Sequence, residues 1–547
     1  MPIYSKEIIK HFKNPQNVGR LKNPSGVGKA GNLVCLLPGQ NIHINNSLKE
    51  INKISRGTKV LSSNGKYNII SKATERNYAG EILIIKNKLG TINLTPDHLI
   101  LAIKIPKGDK FLRTVNKKKL VSGWLHAGQL KKGDIILYPI LKKEKKLEYL
   151  KINIPKPKWD FKSKEIPNKI PLNSDFLRLS GYFLSEGNIQ DKPCRTFISF
   201  SLNIKENEIV KDIKKISKNL FNLDVTVRKM PERKAVVVYL FSARLARFFK
   251  EIFRNGAENK IIPDFIMSLP PERQKPLIYG LWKGDGYINL NRIGQRGGYS
   301  TISYKLAQQI KMLLLRQKII PSIYKEKAKE IRGVKHKEAY RIHVGQRDSL
   351  KKLASILGIK YIPKSYPSEK GWFDNNFLYT PITKIVKKQY QGKVYNLEVE
   401  NSHSFTSEAF CVHNCGDIMK LYLKIGENKK GEKIIEDIRF ETLGCIVAIA
   451  NTSLLTTLVK GKTIKEALSF KKEDLIKKLG QPLPPFKIHC SVLAVDALQE
   501  AIYDYYSKNK IKIPEDLEKE HQRIIKTKEE LEKRYKGFQT FEKEILG

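Results

Sequence analysis

Five residues in the last third of the chain carry donors suited to soft or borderline metals. They are Cys415 and Asp417 in a Cys-Gly-Asp step, Cys445 after a glycine, and the adjacent His489 and Cys490. Three thiolates with one carboxylate or imidazole can hold a [2Fe–2S] cluster or iron, and the same donors suit tetrahedral zinc. An aspartate ligand makes such a site more labile than four cysteines would. Six cysteines in 547 residues are too few for a disulfide framework, so each is a candidate for chemistry or metal binding. A second pair of positions is acidic. Glu186 and Asp285 close two similar stretches, LSGYFLSEG (179–187) and LIYGLWKGDG (277–286), and paired carboxylates can hold divalent ions over phosphodiesters.

The elements around the metal donors belong to two ends of the chain that read as one piece. Residues 1–34, with YSKEIIKHFKNPQNVGRLKNPSGVGKAGNLV, run on naturally into CGDIMKLYLKI from Cys415. Together with FETLGCIVAIANTSLL (440–455) and LPPFKIHCSVLAVDALQEAI (483–502), these segments resemble the IscU/NifU family of iron–sulfur cluster scaffolds. The resemblance implies an α+β scaffold domain, split into 1–34 and 415–547, which binds a cluster or iron (zinc being possible) at the five donors. It also implies a cysteine desulfurase and apo iron–sulfur proteins as partners. Local pattern agrees: IIEDIRFET reads as a strand, 446–460 as a buried helix, Thr463 as a helix cap and the tail from Pro514 as a charged amphipathic helix.

Residues 35–414 then stand as an insert. It starts with Cys35 and ends with His413-Asn414, directly before Cys415. This junction resembles that of self-splicing inteins. The resemblance implies that Cys35 attacks the Val34 carbonyl, that Cys415 takes over the acyl group, and that Asn414 cyclises with help from His413. TINLTPDHLILA (91–102) resembles the T-x-x-H block, with Thr95 and His98 acting on the Val34–Cys35 amide. AGQLKKGDIILYPI (127–140) resembles the L-x-x-G-D strand, and VYNLEVENSHSFTSEAFCVHN (394–414) the terminal splicing block, with His403 catalytic. Asn396 stands where many members have Asp and cannot move a proton. Alternating apolar residues and turns at Asn64-Gly65 and Lys132-Gly133-Asp134 predict an all-β (Hint) splicing domain from 35–150 and 380–414. Before splicing, residues 1–34 are expected to be held away from their strand partners.

Between the β halves, 165–370 reads as α/β. The two stretches ending in Glu186 and Asp285 resemble the paired helices of LAGLIDADG homing endonucleases, which pack through small residues, here Ser180, Gly181 and Gly280. The resemblance implies cleavage of double-stranded DNA with Mg2+ or a similar divalent ion held by Glu186 and Asp285. NKIIPDFI (259–266) supplies Lys260 as an aid to cleavage, and KYIP (360–363) a weaker counterpart, Lys360. Basic strands with Arg228, Lys229, Arg233, Lys234, Arg341 and His343 suit phosphate contacts.

Composition sets the outer bounds. Lys and Arg number 102 against 54 Asp and Glu, a net charge of +48, most of it within 35–414, as a polyanion partner would require. No stretch of about 20 residues is apolar enough to span a bilayer, and the N-terminus lacks the apolar core of a signal peptide. The expectation is a cytoplasmic, multidomain chain with no membrane association. A rival reading makes it mainly a DNA endonuclease or DNA-binding protein, with the ends as zinc-binding arms.

Overall fold

The computed structural model describes residues 5–31, 34–45, 47–105, 120–142, 144–157, 159–160, 164–192, 195–290, 294–331, 333–362, 371–413, 418–443, 446–480 and 488–532. Asn414, Cys415, Asp417, Cys445 and Cys194 lie outside them, and of His489 and Cys490 the helical backbone alone is described.

The chain opens with α1 (Lys6–Lys13), capped by Ser5, whose hydroxyl accepts from the Ile8 amide. Strand Gly26–Gly31 follows. The chain then enters a β unit in which a 20-residue strand, Tyr67–Lys86, pairs antiparallel with Lys384–Val399 along nearly its whole length. Two sheets enclose a core that includes Leu36, Ile85, Ile100, Tyr138, Leu397 and Phe405. The turns expected at Gly65 and Gly133 are present, with φ of +74° and +98°, values that glycine adopts without strain.

Residues 174–356 form two halves of one pattern. The first runs α2 (Ser174–Glu186), strands Gly187–Lys192 and Arg195–Asn203, α3 (Asn207–Phe221), strands Thr226–Met230 and Ala235–Leu240, then α4 (Ala243–Phe253). A short α5 (Asp264–Met267) leads to the second: α6 (Pro271–Gly284), strands Gly286–Asn289 and Arg296–Thr301, α7 (Tyr304–Arg316), strands Ser322–Glu326 and Ala339–Val344, and α8 (Arg347–Ile356). In both sheets the strands stand in the order first, second, fourth, third. Helices α2 and α6 cross at their glycines. A Cβ on Gly181 would lie 2.7 Å from the Gly280 Cα, and one on Gly280 would lie 2.3 Å from the Arg178 carbonyl oxygen. Leu150, Ile152 and Ile166 join this core, so the α/β unit gathers chain from before the expected edge at 165. The β unit likewise resumes at strand Trp372–Phe373, ahead of the expected 380.

The last part contributes strands Ile418–Glu427 and Lys433–Leu443, α9 (Ile446–Val459), α10 (Ile464–Leu468), α11 (Lys472–Lys478), α12 (Ile488–Lys508) and α13 (Glu515–Glu532). Thr463 caps α10 in a reciprocal capping box with Glu466, as its sequence predicts. Gly26–Gly31 pairs antiparallel with Ile418–Glu427, from Gly26↔Leu423 to Gly31↔Ile418, to make one three-stranded sheet. Helix α12 lies so close to this strand that a Cβ on Gly28 would sit 2.0 Å from the Ala497 carbonyl oxygen. His11 and the Gln16 amide both bond to Ser453 Oγ on α9, at 2.9 and 2.8 Å.

This corrects the expectation that residues 1–34 are kept from their partners. The chain ends on either side of the insert leave from neighbouring strands, so the insert can bulge out without parting them. The same pairing joins the described parts of both ends in one sheet rather than in separate arms. Among the described residues no helix is long and apolar enough to cross a membrane.

Candidate functional sites

The upstream junction is buried. Cys35 is 1% exposed, and Leu36 exchanges two backbone hydrogen bonds with Tyr395, both 2.8 Å. The Cys35 amide, the nitrogen of the Val34–Cys35 peptide bond, donates to Thr95 Oγ1 at 3.1 Å. The Thr95 amide donates back to the Cys35 carbonyl at 3.0 Å, and its hydroxyl also lies 3.3 Å from that oxygen. Thr95 thus grips the peptide groups on both sides of the Cys35 Cα. Burial pushes the Cys35 thiol up to about 11, and the charge of Arg76 pulls it down in part. Arg76 is itself lowered by burial and held up by Cys35.

His98 follows in the same turn, its amide donating to the Thr95 carbonyl at 3.1 Å. It is fully buried, with its ring edge-on to Phe405 at 6.4 Å. Strand Leu99–Ile103 begins directly after it and pairs through Ile100↔Val412 with Cys411–His413, the last strand before the downstream junction. His413 is 1% exposed. Its ring packs edge-on against Trp124 at 4.9 Å and lies over His403 at 6.4 Å, the two imidazoles inclined by 30°. His403 has φ +47°, a conformation costly for a residue with a Cβ and common at functional sites. Thr95 therefore holds Cys35, His98 follows Thr95 in the same turn, and His413 lies over His403, while the strand that starts after His98 pairs with the strand that ends at His413. Asn396 follows Tyr395, the backbone partner of Leu36, and its side-chain Oδ1 accepts from the Leu397 amide at 2.8 Å.

Cys411 is buried among Leu101, Ile103, Ile135 and Leu137, a different cluster from that of Cys35. Both thiols are free, so no disulfide joins them. Burial lifts Cys411 to about 12.

The second site lies where α2 and α6 end. Glu186 closes α2 and Asp285 caps α6. Burial, then the charge of Asp285 and of Glu206, raises Glu186 to about 7. Asp285 is raised by burial and by Glu206, against the pull of Lys260. Lys260 is 5% exposed, donates to the Ser185 carbonyl at 2.9 Å, and is lowered by burial to about 8 while both acids hold it up. Two desolvated carboxylates and one buried ammonium thus hold one another's charge at the ends of α2 and α6. Lys360, by contrast, is exposed after α8. The strand Thr226–Met230 presents Arg228 and Lys229 to solvent.

At the third site, His489 and Cys490 lie in the first turn of α12, and Cys415, Asp417 and Cys445 are outside the described residues. Among the described residues no group of three metal donors forms.

Nothing in the local sequence marks Arg76, Trp124 or Glu206. Each is an ordinary polar or aromatic residue in an unremarked stretch. Long-range pairing alone brings Arg76 to Cys35, and Glu206 just before α3 to the acids.

A split α+β domain surrounding a duplicated α/β unit is the class these features define. Family models match accordingly. A NifU-like N terminal domain matches 3–56 and 393–512, with the stretch between left out, and a LAGLIDADG-like domain matches 274–358. The iron–sulfur cluster assembly scaffold protein IscU of Escherichia coli K12 is 52% identical over 98 residues, 18% of this chain and 72% of that protein. The chain belongs to the IscU/NifU scaffold family, with a LAGLIDADG domain inserted between the two parts of the scaffold.

An uncharacterized protein of Methanocaldococcus jannaschii is 29% identical over 449 residues, 75% of this chain and 54% of that one. The ATP-dependent DNA helicase Hel308 of Thermococcus kodakarensis is 26% identical over 429 residues, 70% of this chain and 36% of that one. The chain thus spans about half and about a third of these two relatives' lengths. A crystal structure of I-DmoI in complex with DNA and Mn aligns at 16% identity over 35% of this chain and 99% of that one, with a TM-score of 0.27.

Proposed function

We propose that the chain is the precursor of an iron–sulfur cluster scaffold (1–34 and 415–547) whose insert, 35–414, splices itself out and cleaves double-stranded DNA. The observation that carries the splicing reading is the antiparallel pairing of Leu99–Ile103, which follows Thr95 and His98, with Cys411–His413. It supports a reading in which both junctions react close together.

The Cys35 thiol attacks the Val34 carbonyl carbon. The C–N bond breaks, the nitrogen takes a proton, and a thioester forms. Thr95 holds the scissile amide and His98 serves as the acid. The Cys415 thiol then displaces Cys35 from the acyl group. The side-chain nitrogen of Asn414 attacks its own backbone carbonyl, assisted by His413 and His403, and closes a succinimide that frees the Cys415 amine. That amine attacks the thioester and leaves a Val34–Cys415 peptide bond.

In the nuclease unit, Glu186 and Asp285 would hold a divalent ion, which when bound supplies Lewis-acid activation of a phosphodiester and of the attacking water. Lys260 sets the charge between the two acids. Cys415, Asp417, Cys445, His489 and Cys490 would carry the cluster as cargo, built there from iron and the sulfur of a cysteine desulfurase and passed on to apo proteins in the cytoplasm.

The deciding experiment is mass spectrometry of the expressed chain, with a peptide spanning Val34–Cys415 as the expected product. Cys35→Ala should block the upstream acyl shift and Asn414→Ala the downstream release. Ligated product from either variant would overturn the splicing reading.

A further inference from the structure

Helix α7 belongs to the second α/β half, yet one of its faces is set against the β unit. Tyr304, Gln308 and Lys311, spaced along that face, all bond to Glu408. The Tyr304 hydroxyl donates to one Glu408 carboxylate oxygen at 2.8 Å and accepts from Asn41 Nδ2 at 2.8 Å. Gln308 Nε2 donates to the other carboxylate oxygen at 2.7 Å. Lys311 Nζ donates to the Glu408 backbone carbonyl at 2.7 Å. Lys311 is fully buried and Gln308 nearly so. Burial lowers Lys311 to about 8, opposed by the Glu408 charge. Burying an ammonium is costly, and a core filled for stability alone would place an apolar residue there.

Glu408 sits in a tight turn. Its amide donates to the Asn41 carbonyl, and Ser407 and Phe410 bond across the turn. Ser407 Oγ accepts from the Phe410 amide, and Asn87 donates to the Ala409 carbonyl. Strand Cys411–His413 begins straight after this turn and ends one residue before Asn414. On another side of α7, Ser303 Oγ donates to the Lys260 carbonyl at 2.9 Å, and Gln309 brackets Ile262, accepting from its amide and donating to its carbonyl. One helix thus ties the segment bearing Lys260 to the turn that launches the downstream junction.

We infer that Tyr304, Gln308 and Lys311 of the nuclease unit are positioning residues for the step at Asn414. The inference rests on the splicing reading above. Cyclisation requires the Asn414 carboxamide to be held within reach of its own carbonyl, and small displacements of a reacting group slow such steps steeply. The clamp on residues 407–410 fixes the strand that carries His413 and so sets that reach. The upstream junction hangs on Thr95 and on the Leu36–Tyr395 pair, residues other than Asn41 and Glu408, to which α7 bonds. Loosening α7 should therefore separate the two cleavages.

The test uses the full chain in two backgrounds. Cys35→Ala isolates release of the part from Cys415 onward, and Asn414→Ala isolates thiol-induced cleavage at Val34–Cys35 by dithiothreitol. Both are followed in time by mass spectrometry. Lys311→Met should slow downstream release by about tenfold or more and change upstream cleavage by less than about twofold. Tyr304→Phe keeps the ring and its packing, should slow downstream release to a smaller extent, and carries the test if Lys311→Met does not fold. Unchanged downstream release in the folded variants, or equal slowing at both junctions, would overturn the inference. A parent chain that cleaves at neither junction would overturn the splicing reading itself, and the clamp with it.

Discussion

Thr95 shows how a single hydroxyl can define a junction. It receives the Cys35 amide at 3.1 Å, and loss of one such bond is worth about 1 kcal/mol or somewhat more. Thr95→Ala should then slow dithiothreitol-induced cleavage at Val34–Cys35 by roughly tenfold, with release at Asn414 little changed, as gel or mass analysis of the fragments would read. The two buried thiols make a second prediction. Cys35 stands at about 11 and Cys411 at about 12, both raised first by burial. The folded chain therefore keeps protons that an unfolded thiol gives up near 9. Stability should fall as pH rises from about 9 towards 11, because the unfolded state binds fewer protons there. Cys411→Ala should flatten that fall, measured as the urea midpoint against pH. At the other site, Glu186→Gln or Asp285→Asn should abolish divalent-dependent DNA cleavage while binding persists. Cleavage that survives both changes would remove these acids from the mechanism.

Among the elements, two helix contacts have no room for a side chain. The α2–α6 crossing needs Gly181 and Gly280, and the α12 contact needs Gly28, where a Cβ would stand 2.0 Å from a carbonyl oxygen. Gly28→Val should destabilise the scaffold unit by about 3 kcal/mol or more, since backbone rather than a flexible side chain must move. A scan of thermal unfolding should show it as a lower transition for that unit. Gly181→Val should force α2 and α6 apart, shift Glu186 against Asp285, and remove cleavage even though both acids remain. The expected strand-rich and α/β regions were legible because their apolar residues alternate or recur with helical spacing. The edges were not: Leu150 and Ile152 sit in an exposed-looking stretch and are claimed by the α/β core through contacts with residues far along the chain.

For the whole molecule, the scaffold is assembled around its interruption. Gly31 faces Ile418 across one ladder, so the insert leaves and re-enters at the same end of two neighbouring strands. Amides of 26–31 in a Cys35→Ala, Asn414→Ala chain should accordingly exchange hydrogen as slowly as in the ligated product. Free exchange in the unspliced chain would show that pairing waits for splicing. Splicing would then act on the cluster through Cys415, needed first as nucleophile and afterwards as ligand, rather than by folding the scaffold. The charge of the insert makes a further expectation: its affinity for DNA should fall steeply and log-linearly with salt as phosphate counterions are released.

Residue chemistry was readable in one dimension. Cys35, His413-Asn414-Cys415, the T-x-x-H block, the two acids and the five candidate donors stand out because nucleophiles, ligands and carboxylates are properties of residue type, and in the proposed reading their order along the chain assigns each to a site. Tertiary structure decided the rest. Arg76 meets Cys35, Glu206 meets the acids, Glu408 meets α7, and 26–31 meets 418–427 through ladders and packing between segments far apart in sequence. Such partners leave no local periodicity to read, because the energy that selects them is shared surface and hydrogen bonding that exists only once the chain has folded.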